Sequence, residues 1–84
     1  MSMIVARARQ ILNDWNVANP GREIAWEWVE ELLIAWKILG EACYHGRDET
    51  VPFARALEFE RRIPPPLVSS LHEVISRNYL GGAG

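Results

Sequence analysis

Apolar residues recur at three- and four-residue intervals along nearly the whole chain, and no stretch alternates apolar and polar residues as a half-buried strand does. That spacing admits helices and little else. Punctuation divides the pattern into four: Asn19-Pro20-Gly21, Gly46 and Pro64-Pro65-Pro66 mark where the chain leaves a helix. The 84 residues supply material for one core, since a chain of this size buries only about 60% of its unfolded surface. The expected fold is an all-α, four-helix domain over residues 1–80, with a long central second helix as spine and three shorter helices packed around it. Gly81 to Gly84 form an expected flexible tail.

The first helix is expected from about Met3 to Trp15, capped by Ser2, with Ile4, Val5, Ala8, Ile11, Leu12 and Trp15 on one arc. The second runs from about Arg22 to His45, a length of about 36 Å at about 1.5 Å per residue. Gly46 suits the left-handed residue that ends it, and Gly40 within it suggests a close helix crossing. A third helix begins at Thr50 or Val51, with Thr50 as N-cap and Pro52 in its first turn, and reaches about Arg62. Its inner face reads as Phe53, Ala56, Leu57 and Ile63. That face leaves Glu60 among apolar residues, where it needs a partner such as Arg7, Arg9 or Arg77; a rotated helix would bury Phe59 and put Glu60 at the edge. The last helix, about Pro66 to Leu80, turns Leu67, Val68, Leu71, Val74, Ile75 and Tyr79 inward. The expected core contains Val5, Leu12, Val29, Leu32, Trp36, Leu57, Leu71 and Val74.

Several functions are disfavoured. A composition of 49% hydrophobic and 24% charged residues is that of an ordinary globular protein. The longest apolar run, Leu32 to Trp36, is far short of the roughly 20 residues that span a bilayer. Arg7 and Arg9 interrupt the N-terminus too early for a signal peptide. Cys43 has no second cysteine to pair with, which points to the cytoplasm, and its place beside Leu39 and Ala42 points to a buried thiol. A net charge of −2 makes nucleic acid an unexpected partner. Neither phosphate-binding glycine loops nor His-Glu-x-x-His or Cys-x-x-Cys motifs occur, so no catalytic residue, cofactor or small-molecule substrate is expected. Glu41 and His45 share a helix face, but two ligands do not make a metal site.

The remaining features suggest recognition of another protein. Of four tryptophans, Trp28 and Trp36 flank the centre of the second helix's apolar arc, and Trp26 lies at its edge as the candidate surface aromatic. Ile34 and Ile38 are stacked one turn apart among Glu23, Glu27, Glu30, Glu31, Glu41 and His45, on a face where polar residues are expected unless the first or fourth helix covers it. Trp26, Glu27, Glu30, Ile34, Ile38 and Glu41 are thus the candidate partner-binding residues of a small regulator or adaptor. The partner would be a basic helical protein, or a second copy forming a homodimer. The alternative is a nucleic-acid-binding regulator using Arg7, Arg9, Arg55, Arg61 and Arg62. Against it, Arg61 and Arg62 suit a helix C-terminus, and Glu58 can pair with Arg55 or Arg62.

Overall fold

In the computed structural model, which describes residues 3–77, every regular element is helical: α1 (Met3–Ala18), α2 (Trp26–Tyr44), α3 (Thr50–Glu60) and α4 (Pro65–Ser76). The cap expected at Ser2, the end of α4 at Leu80, Tyr79 and the glycine-rich tail lie outside the described residues.

The connectors form as their residues dictate. Asn19 to Arg22 is a turn in which the Arg22 N–H donates to the Asn19 carbonyl at 3.0 Å. Pro20 takes the first corner and Gly21, at φ +85°, the second, a conformation that side chains disfavour. The chain stays extended for several residues more, so α2 begins at Trp26 rather than at Arg22. Asn16 explains the delay. Its side-chain oxygen accepts the Ile24 N–H at 2.9 Å and its amide donates to the Ile24 carbonyl at 3.1 Å, which diverts Ile24 from helical bonding. The 19 residues of α2 correspond to about 28 Å at about 1.5 Å per residue, so the second helix is shorter than its sequence suggests.

Gly46, at φ +67°, ends α2 as expected. The Arg47 N–H donates to the Ala42 carbonyl at 2.8 Å and the Gly46 N–H to the Cys43 carbonyl at 3.3 Å, a complete Schellman closure. Thr50 is the first residue of α3 and not its cap, and the turn before it is fastened by Asp48. Its carboxylate accepts from the Thr50 hydroxyl at 2.7 Å and the Thr50 N–H at 2.9 Å. These two bonds, the hydroxyl's first, hold the Asp48 carboxyl below its ordinary pKa. Pro65 and Pro66 then open α4, where missing N–H groups leave nothing unsatisfied.

The five residues 45–49 turn α2 back on α3, and the Trp28 and Phe59 rings, 6.2 Å apart, join the start of one helix to the end of the other. These two pack antiparallel as one pair, and α1 packs chiefly on α4 as a second. The pairs share a core of Ala8, Leu12, Val29, Leu32, Ala35, Ala56, Phe59, Ile63, Leu67 and Leu71. No polar residue among those described is buried with them. Of the expected core, Leu12, Val29, Leu32 and Leu71 are buried, while Val5, Trp36 and Val74 lie partly buried at its margin.

One open alternative is decided and two expectations are corrected. The third helix takes the rotated orientation: Phe59 is buried, Glu60 lies at the edge, and Leu57 and Phe53 are 37% and 54% exposed. The Trp28 ring on α2 selects this rotation by packing with Phe59. Gly40 marks no close crossing, because a Cβ placed on it would meet no atom within 4 Å. Cys43 is exposed: Ala42 occupies the packed position at this level of α2, and Cys43 lies about 100° further round the helix.

Candidate protein-docking face

At about 100° per residue, Glu27, Glu30, Glu31, Ile34, Ile38 and Glu41 fall within an arc of about 100° on α2. The structure exposes all six. Ile34 and Ile38 remain 46% and 48% accessible, so neither α1 nor α4 covers them. The opposite side of the same helix buries Val29, Leu32 and Ala35, which fixes how the outer arc is presented. Glu23 precedes the first residue of α2 and therefore drops out of the arc. Its carboxyl is held below its ordinary pKa by its own backbone N–H and then by that of Gly21.

Trp26 does not belong to this arc. It packs against the core with the Arg9 guanidinium of α1 over its ring, 4.3 Å from the centroid. The more exposed tryptophan is Trp28, at 40%, with the Arg62 guanidinium 4.9 Å from its ring centroid. The sequence wheel places Trp28 near the middle of the apolar arc and misses it as a surface residue. The signal that could have found it is Arg62, whose position at the end of α3 is brought opposite Trp28 once the two helices are paired antiparallel.

The five arginines do not form one face. Arg7 and Arg9 are on α1, while Arg55, Arg61 and Arg62 are on or just beyond α3, in the other helix pair. Arg7 donates to the Gln10 side chain at 3.1 Å. Arg62 pairs with Glu58 at 3.3 Å, as i and i+4 spacing allows, while lying over Trp28 and Phe59. These contacts are the structural uses of guanidinium expected on a helical surface.

Among the described residues, no three His, Cys, Asp or Glu side chains converge as metal ligands would. His45 stacks edge-on with Tyr44 and His72 edge-on with Trp36, the latter at 5.4 Å between centroids. Cys43 is exposed, and its thiol is raised above its ordinary pKa, first by a hydrogen bond to the Glu49 carboxylate and then by partial desolvation. A raised pKa keeps the thiol protonated and makes it a poor nucleophile. An open groove of 260 Å³ between α1 and α4 is lined by Arg7, Ile11, Ser70, Glu73, Val74 and Arg77, with Glu73 and Arg77 ion-paired at 2.8 Å. It pairs no nucleophile with a base. No helix among the described residues is long and apolar enough to cross a membrane.

Comparison of the chain with protein-family models, with curated proteins and with solved structures finds no significant match.

Proposed function

We propose that this chain is a non-enzymatic interaction module, a small regulator or adaptor that works by docking a protein partner on the outer arc of α2. The observation that carries this reading is the exposed pair Ile34 and Ile38. Two β-branched residues stacked one turn apart, with nearly half their surface in water, gain by being covered, at roughly 25 cal/mol per Å² of apolar area removed from water. Their rim of glutamates matches the anatomy of an interface with an apolar centre and a polar edge. The same carboxylates repel phosphate, so a nucleic-acid backbone is a poor occupant of this arc. We place the protein in the cytoplasm, where a lone exposed thiol such as Cys43 stays reduced.

The test compares the native chain with Ile34→Glu/Ile38→Glu as baits in the host cell, followed by direct binding of each recovered protein in purified form. The docking reading expects a protein that the native chain binds and the variant does not, while both baits show the same helical circular dichroism. Identical sets of bound proteins would overturn it.

A further inference from the structure

Resting on that docking reading, we infer that the occupant of the outer arc of α2 is a basic amphipathic helix of another protein, not a second copy of this chain. Charge decides between them. Around Ile34 and Ile38 stand Glu30, Glu31 and Glu41, each three or four residues from one of the isoleucines and so beside it on the helix surface, with Glu27 on the same face two turns before Ile34. Among the described residues there are two ion pairs, Glu58 with Arg62 and Glu73 with Arg77, and neither uses these four carboxylates. The single base on α2 is Lys37, three residues from Ile34 and four from Glu41, at the edge of the arc. The arc is therefore an apolar strip inside a rim whose carboxylates outnumber the one cation beside them.

A two-fold dimer presents the same patch to itself. Laying α2 antiparallel on its copy about Ile34 and Ile38 would bring Glu30 and Glu31 of one chain toward Glu41 of the other, and like charges at close range oppose association. The two arginines that lie against α2 are already engaged: Arg62 is held over Trp28 and bonded to Glu58, and Arg9 is held over Trp26, outside the arc. A partner that brings its own cations gains from the rim instead of being rejected by it. From Glu27 to Glu41 the rim spans about 21 Å at about 1.5 Å per residue, which about four turns of a partner helix would match. The ligand chemistry is thus two apolar residues at i and i+4, flanked at helical spacing by Lys or Arg, in the manner of helix docking on an apolar strip.

The experiment titrates the full chain into a fluorescently labelled synthetic peptide of this design and, separately, into a scrambled peptide of identical composition whose apolar residues no longer share a face. Anisotropy is expected to show binding of the amphipathic peptide at least tenfold tighter than of the scrambled one. The complex should weaken several-fold between low and physiological salt. Ile34→Glu/Ile38→Glu should weaken it at least tenfold. Glu27→Lys/Glu30→Lys/Glu41→Lys, which keeps both isoleucines, should do the same. Absence of binding, equal binding of the scrambled peptide, or unchanged binding by the charge-reversed chain would overturn the inference. Sedimentation velocity on the chain alone separates this failure from failure of the docking reading. Self-association that Ile34→Glu/Ile38→Glu abolishes would keep the docking reading and overturn the basic-helix occupant. If that variant changes neither self-association nor any capture, both fall.

Discussion

On the inner side of α2, Val29 and Leu32 have no accessible surface and interlock with residues from the other three helices, whereas Ile34 and Ile38, on the outer side, keep nearly half of theirs in water. The side chains are of one kind, and their surroundings differ because α3 packs on one flank of α2 while α1 and α4 meet its inner side. A similar contrast appears on α3 between Phe59, buried against Trp28, and Leu57, turned outward. Hydrophobicity alone therefore does not separate what holds this chain folded from what it leaves in water. The separation comes from which arc the neighbouring helices leave uncovered.

Truncating each face in turn would break or sharpen this contrast. The largest effect is expected from Leu32→Ala or Leu71→Ala, which should each cost about 2–5 kcal/mol, read from urea denaturation, because a fully enclosed side chain leaves a cavity behind. A loss below about 1 kcal/mol at either position would show that the inner face is not the core. On α3, Phe59→Ala should cost about 3 kcal/mol and Leu57→Ala less than about 1 kcal/mol. The reverse order would restore the orientation first suggested by Phe53 and Leu57.

These pairs also show how far the sequence reaches. Val29, Leu32 and Leu71 are legible in it because a three-and-four spacing has one solution when the opposite arc is mostly polar. The rotation of α3 is not, because Phe53, Leu57 and Phe59 make both of its arcs apolar, and the decision rests with Trp28 on another helix. The late start of α2 is hidden for a related reason. Asn16 clamps the backbone of a residue eight positions away, and no local motif announces such a bond. Gly46 and the Asn19-Pro20-Gly21 turn were readable because their constraint is in the backbone of the residue itself. The exposure of the outer arc is readable since Glu27, Glu30, Ile34, Ile38 and Glu41 share one helix. The covering of Trp26 is not, because the Arg9 that lies over it comes from α1.

The clamp gives the next effect in size. Asn16→Ala removes both bonds to Ile24 and should cost about 1–3 kcal/mol, with faster hydrogen exchange at the Ile24 amide as its local signature. Unchanged exchange there would mean that the extended segment before α2 is fixed by something other than Asn16. Smaller still, and opposite in sign, are two glycines of the α2 region. Gly46→Ala forces a side chain into the left-handed conformation and should destabilise by about 1 kcal/mol. Gly40→Ala, in open helix surface, should stabilise by up to about 1 kcal/mol. A Gly40→Ala variant that loses stability would reveal a close neighbour at that point of the helix.

The most direct test of the difference between the two faces is urea denaturation of Ile34→Glu/Ile38→Glu, followed by circular dichroism beside the native chain. If the outer arc of α2 is free surface, two carboxylates replace two half-exposed side chains with little loss of burial. The variant should then unfold cooperatively, within about 1 kcal/mol of the native chain. Loss of helicity, or a destabilisation comparable to that of Leu32→Ala, would contradict the account and place Ile34 and Ile38 in the core.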